Sequence, residues 1–500
     1  MAATTYIAID LGASSGRHLA GSIDGNRLNL QEVHRFENGP IAAGGRLYWD
    51  LLQLWQHIQN GLCAAKHSHG DSIRSVGVDT WGVDFALLGR GDELLGNPVC
   101  YRDPRTNGMI ERAFEIVPRE EIFAATGLQF MQFNTLFQLL AMKAGDSPIL
   151  DAAETMLLMP DLFHWLLTGE KSNEMTDAST TQFYNPATGS WAIDLLKRFE
   201  LPTNILGSIV QPGTKLGRLL SSVAEATGLT NVDVVAPGSH DTASAVMAVP
   251  AASQAGARPD WCYISSGTWS LMGVEAPRPI LDHKCLELGF TNEGGVGGTT
   301  RLLKNICGLW LVQECRRVWR HKAPHGSDRY SWRELTQAAA AAEPLAAFIN
   351  PSDPSLLSPQ NMPEAIRGYC RRTNQTVPDS EGAVIRCALE SLAMEYRRTL
   401  EALEQLIGGR LSTIHIVGGG IQNTQLCQMA ANACGRRVLA GPIEATAIGN
   451  LMMQAIAAGE VGSIAEAREI IRRSFPVVEY EPRDSQSWNE AYQRFLKIAS

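Results

Sequence analysis

The sequence predicts an α/β protein made of two topologically similar halves. Two stretches and the order of elements around them carry that expectation. "YIAIDLGASSGR" at 6–17 and "WCYISSGTWSLMGVE" at 261–275 each join strand-like segments through small residues. Downstream of each, an amphipathic helix leads into a strand and a further turn, as in "VGVDTWG" and "TIHIVGGGIQN".

The first half can be read element by element. After Asp10 come the strand-like segments "HLAGSI" and "RLNLQEVHRF", with "DGN" at 24–26 as the hairpin signal. Three antiparallel strands are therefore expected. Asp50 is a candidate N-cap for a helix whose Leu51, Leu54, Trp55, Ile58 and Leu62 fall on one face. "SVGVDTWGVDFALL" then returns to strand character, completing a β-β-β-α-β order. In the second half, the helix opening at "SEGAVIRCALESLAMEY" has its stripe at Ile385, Leu389, Leu392, Tyr396, Leu400, Leu403 and Ile407. Gly408-Gly409 closes it. The boundary is expected between residues 249 and 261, where "PAASQAGARPD" lacks apolar periodicity, giving domains 1–249 and 250–500. The segment 109–217 and "HKAPHGSDRYSWREL" read as insertions.

Composition narrows the function. A length of 500 residues, 45% hydrophobic and 19% charged, suits a globular protein of several domains. A net charge of -9 with no long basic run argues against nucleic-acid and anionic-membrane partners. The ten cysteines form no C-x-x-C pair and no H-E-x-x-H is present, so no zinc or redox motif is written. Reduced thiols are expected, although Cys370 and Cys387 flank a turn and are a candidate bridge. No secretory pattern or membrane-spanning run is seen, which makes the cytoplasm the expected address.

The familiar nucleotide signatures are missing. "GGVGGTTR" lacks the P-loop lysine, and "GGGIQN" breaks the dinucleotide-binding spacing. What remains is a strand-turn-strand element in each half. A turn of small residues leaves backbone N–H groups able to hold phosphate oxygens, although an ordinary hairpin has the same pattern.

Two such halves resemble the actin-like ATPase architecture. "YIAIDLGASSGR", "VGVDTWGVDF", "PGSHDTASAV", "YISSGTWSLMG", "KNICGLWLVQE" and "IVGGGIQN" occur in the order found in the FGGY family of carbohydrate kinases. The resemblance spans about residues 5–480. It implies two actin-like (ribonuclease H-like) domains, each a mixed β-sheet flanked by helices, with the active site in the interdomain cleft. It also implies ATP and Mg²⁺ as co-substrate and metal, and O1 of a deoxyketose as phosphoryl acceptor.

The resemblance assigns residues as well. Ala13, Ser14, Ser15, Gly16 and Arg17 would bind ATP phosphates, with Asp10 holding Mg²⁺ through water. Thr268 would reach the phosphates from the second half, Gln313 would meet the nucleotide, and Gly419 would border adenosine. Gln313 reads equally well as a solvated helix position. Asp241 would be the catalytic base and bind substrate together with Gly82, His240, Thr242 and Asn305. On local grounds Asp241 is an N-cap for "DTASAVMAV", and a helix N-terminus favours its ionised form. Trp81 or Phe85 would be an apolar wall for the sugar methyl, or simply core. Kinases for L-fuculose, L-xylulose or a polyol share the same phosphate machinery. A nucleotide switch of the same architecture would not need Asp241 as a base.

Overall fold

The computed structural model describes residues 4–252, 258–322, 329–357 and 359–499. Part of the expected linker, 253–257, and part of the second insertion, 323–328, lie outside them. The chain forms two compact units. One comprises Met1–Ala257, Glu275–Leu302 and Ala445–Phe475, the other Arg258–Val274, Leu303–Glu444 and Pro476–Ser500. Residues 275–302 and 445–475 follow the linker in sequence but pack in the first unit.

The first unit is built on a six-stranded mixed sheet. Its order is Thr214–Arg218, Asp233–Ala236, Ile73–Thr80, Thr5–Leu11, Ser15–Asp24, Arg27–Glu37. The three N-terminal strands pair antiparallel, while Ile73–Thr80 joins Thr5–Leu11 in parallel. That geometry needs a crossover, supplied by the helix Leu51–His69. Asp50 caps it by accepting from Gln53 N, and Gly70 ends it at φ 59°. Leu54, Ile58 and Leu62 pack with Ile7, Ile9, Val76 and Val78 in one core. Each such burial contributes about 1.5–3 kcal/mol.

The insertion 109–217 is a packed part of the first unit. It has a core of its own, in which Leu136, Phe137, Phe183 and Leu196 are fully buried. It also carries buried Gln138, Glu174 and Asp177, which face polar elements of the unit described below.

The second unit repeats the theme. Six strands of a seven-stranded sheet run in the order Thr300–Cys307, Trp269–Ala276, Trp261–Ser266, Thr413–Val417, Arg437–Ala440, Val478–Tyr480. Trp261–Ser266 is antiparallel to Trp269–Ala276 and parallel to Thr413–Val417. The crossover is the helix Glu381–Ile407, capped by Ser380 and ended by Gly408 in the left-handed region. Cys370 and Cys387 are both free thiols. Among the described residues, no helix is long and apolar enough to cross a membrane.

Candidate active site

In the first unit, parallel register sets Asp10 beside Asp79, and antiparallel register sets Arg17 on the other side of Asp10. Arg17 Nε and Nη2 donate to Asp10 Oδ2 at 2.9 and 2.7 Å. Asp79 is fully buried and accepts from the Asn450 amide at 2.6 Å, while its other oxygen has no partner. Burial drives the Asp79 pKa well above the ordinary carboxylate value, and the charges of Asp10 and Asp241 push it further. The Asn450 bond and Arg17 oppose that shift only partly.

The turn between the first two strands is closed by Gly12 N donating to Ser15 O, and Asn38 Nδ2 bonds to Gly12 O. Ala13 and Ser15 are half-buried and Ser14 is exposed. Gly16 lies under the Phe36 ring, where a Cβ would come within 2.2 Å of Cζ. Packing, not ligand approach, is what requires glycine there.

His240 and Asp241 lie at the end of the same sheet. Thr80 N donates to Ser239 O, and Thr80 and His240 form a parallel bridge. From the insertion, Glu174 accepts from Ser239 N at 3.0 Å, and the Thr176 hydroxyl accepts from His240 N at 3.1 Å. Burial raises the Glu174 pKa to about 8, although the Thr176 bonds oppose the shift.

Asp241 is the first residue of the helix Asp241–Met247, and His240 occupies the N-cap position without a side-chain cap bond. The expected N-cap role is thus corrected. His240 has the extended backbone of a cap (φ -73°, ψ 122°), so the helix begins one residue later. Asp241 keeps 31% of its side chain exposed and accepts from the Thr242 hydroxyl at 3.1 Å. Burial raises its pKa, His240 lowers it and Asp10 raises it again. The net shift is upward, opposite to what a helix N-terminus alone would give.

Gly82 sits on a constrained turn. Val83 has φ 68°, a conformation rare for a β-branched residue, and its N–H and C=O are held by Thr180 and Thr135. A Cβ on Gly82 would lie 2.9 Å from Thr180 Cγ2 and 3.2 Å from Asp177 Oδ1. Asp177 is buried with both carboxylate oxygens unpartnered, and burial with neighbouring acids drives its pKa strongly up. Trp81 is a core residue that packs on Trp49, and both indole N–H groups donate to Asp84 Oδ2. Phe85 is buried in the insertion core.

The second unit holds the remaining assigned residues. The Gly267 and Thr268 carbonyls accept from Leu309 N and Trp310 N, which fixes the start of the helix Trp310–Lys322 against the hairpin turn. Gln313 is half-buried on that helix, and Asn305 lies on the strand Thr300–Cys307. Gly418 has φ 88°, and a Cβ on Gly420 would fall 2.0 Å from Ser266 Oγ. Gly419, between them, faces open space.

Asp79, Asn450, Glu174, Asp177, Glu293 and Arg301 escaped the sequence reading. A signal existed for Asn450 and Gln454, a polar pair four apart in the apolar run "ATAIGNLMMQAIA". The others are scattered along the chain and meet only through tertiary packing.

Among the described residues, no group of three or more His, Cys, Asp or Glu side chains could ligate an ion directly. The Asp10 carboxylate nevertheless suits Mg²⁺, which keeps most of its waters and takes one or two carboxylates together with substrate phosphates.

Residues 5–248 match the N-terminal domain of the FGGY family of carbohydrate kinases, and residues 262–458 match its C-terminal domain. A protein named rhamnulokinase from Bacteroides thetaiotaomicron is 46% identical over 490 residues, 98% of each chain. Another of that name from Bacillus subtilis is 39% identical over 96% of each. Among solved structures, a gluconate kinase from Lactobacillus acidophilus superposes with a TM-score of 0.80 at 14% identity, covering 99% of this chain and 98% of that one. Plasmodium falciparum glycerol kinase with ADP gives 0.75 at 15% identity, covering 99% and 98%. With both domain matches and relatives this similar along their whole length, the chain belongs to the FGGY family of carbohydrate kinases.

Proposed function

We propose that this kinase transfers the γ-phosphoryl group of ATP to O1 of L-rhamnulose, giving L-rhamnulose 1-phosphate and ADP in L-rhamnose catabolism. The observation that carries the reading is the pairing of Asp241 with His240 at the end of the sheet that also bears Asp10 and Arg17. Relatives named rhamnulokinase, similar over nearly the full length, support the choice of sugar.

In this reading Asp241 accepts the proton of the O1 hydroxyl as the oxygen attacks phosphorus. A base of this kind contributes about 10²–10⁴-fold in rate. A carboxylate whose pKa is raised by burial is a stronger proton acceptor than an unperturbed one. Gly82, His240, Thr242 and Asn305 orient the ketose. The turn residues Ala13, Ser14, Ser15 and Gly16, together with Arg17, meet the ATP phosphates with donors fixed in advance. Thr268, Gln313 and Gly419 are the nucleotide contacts of the second unit. Asp10 would hold Mg²⁺ through water, and the ion when bound neutralises phosphate charge. Residues 1–249 would then bear sugar, base and first phosphate turn, and 250–500 the nucleotide. The scattered thiols suit a cytoplasmic enzyme.

ADP release measured with L-rhamnulose, L-fuculose, L-xylulose and polyols tests the assignment. L-Rhamnulose should give the highest kcat/KM, and a better neighbour overturns the choice of sugar. Asp241→Asn should lose about 10²-fold or more in kcat, and full turnover would remove the base.

A further inference from the structure

The geometry points to Arg301, held by Glu293, as the positioning residue that fixes the tautomer of His240. Arg301 ends the "GGVGGTTR" stretch and is fully buried. Its Nε donates to Gly294 O at 2.7 Å, which locks the guanidinium plane. Its Nη2 lies 3.0 Å from His240 Nδ1 and 3.2 Å from Glu293 Oε2.

A guanidinium has only donors. Nδ1 facing it must therefore present its lone pair, and the imidazole carries its proton on Nε2. Nε2 is the nitrogen on the Asp241 side, 3.4 Å from Oδ1. The ring thus offers an N–H to the carboxylate pocket and not to Glu293, whose Oε2 lies 3.4 Å from Nδ1. Glu293 supplies the countercharge that makes a buried guanidinium tolerable. Burial alone would raise the Glu293 pKa, but the Arg301 guanidinium beside it holds it below the ordinary carboxylate value. It also borders a cavity of about 590 Å³ lined by Met175, Tyr184 and Arg278.

The backbone gives the ring its starting point, through the Thr176 bond to His240 N, and Arg301 chooses which nitrogen carries hydrogen. Combined with the sugar-kinase reading above, on which this part rests, Nε2–H donates to a ketose hydroxyl next to the one that reacts. Losing the tautomer would loosen the sugar while sparing ATP.

The test uses the full chain labelled with ¹⁵N-histidine and magic-angle-spinning spectra, His240 being assigned by its absence from His240→Gln. The expected pattern is a protonated Nε2 and a bare Nδ1, and a protonated Nδ1 overturns the proposal. Arg301→Lys should raise the ketose KM by about 10-fold or more and change the ATP KM by less than about two-fold. An equal rise in both would mark a purely structural role and overturn it. Glutamine carries its amide near the Nε2 position and asparagine near Nδ1. His240→Gln should therefore retain about 10-fold more kcat/KM than His240→Asn, and the reverse order is fatal. If no ketose is turned over, the functional reading fails, while the spectra still decide the tautomer.

Discussion

Asp10 and Asp79 stand side by side in two parallel strands, yet they are held differently: Arg17 forks onto Asp10, whereas Asp79 receives the Asn450 amide. The Asp10 charge adds to the burial that makes Asp79 costly to ionise. The arrangement keeps both acids buried, one paired with a guanidinium and the other sealed in the sheet.

Replacing Arg17 tests whether the fork serves ligand binding. Lysine keeps the charge but cannot bring two fixed N–H groups onto the one Asp10 oxygen. Arg17→Lys should raise the ATP KM by about 5–10-fold with little change in the ketose KM, as read from initial rates. Equal effects on both would reduce Arg17 to a strand contact.

The glycine turn of the second unit separates packing from ligand approach. Gly420→Ala drives a methyl into Ser266 and should cost about 1–3 kcal/mol in denaturant unfolding. Gly419→Ala meets open space and should change stability by less than about 1 kcal/mol. If Gly419 borders adenosine, the same variant raises the ATP KM. An unaffected KM would remove it from the site.

Asp84 carries a pH signature. Burial raises its pKa to about 6 despite four donors, from Trp49, Gln138, Trp81 and Tyr101. Its folded pKa exceeds its unfolded one, so its contribution to stability is fully present below the unfolded value of 3.8 and is lost as pH rises through about 6. The loss is on the order of 3 kcal/mol. Asp84→Asn should remove this slope from urea unfolding measured across that window. An unchanged slope would mean that the carboxylate is solvated.

Glu174 anchors the backbone ahead of the candidate base. Its acceptors bind Ser239 N and both donors of Thr176, and Thr176 in turn holds His240 N. Glu174→Gln places an amide among donors and should cost about 1–3 kcal/mol in stability. It should also lower kcat by about 10-fold, because the His240–Asp241 pair shifts. Stability lost without a change in rate would show that the segment needs no such anchor.

Much of the architecture was written in one dimension. Alternating apolar residues in 5–11 and 73–80, with the 3.6-residue stripe of 51–69 between them, specify a parallel pair joined by a helix, because no shorter connection reverses the chain. The long stripe ending at Gly408 specified its counterpart. Asp10, Arg17, His240 and Asp241 could be singled out because each lies in a short motif whose backbone dictates its side chain. Their surroundings were illegible. Asn450 reaches Asp79 from 371 positions away, and Arg301 reaches His240 from 61 away. Neither contact leaves a periodic trace, since a single buried polar atom is chosen by whatever element packs against it. Even the start of the helix at Asp241 moved by one residue for this reason. Local propensity allowed the aspartate to cap, but the bonds from Glu174 and Thr176 held Ser239 and His240 extended and gave His240 the cap position. Sequence determined which strands and helices exist and where the reactive residue types cluster. Tertiary packing decided their protonation, orientation and partners, because those depend on burial and on charges that only folding brings within a few ångströms.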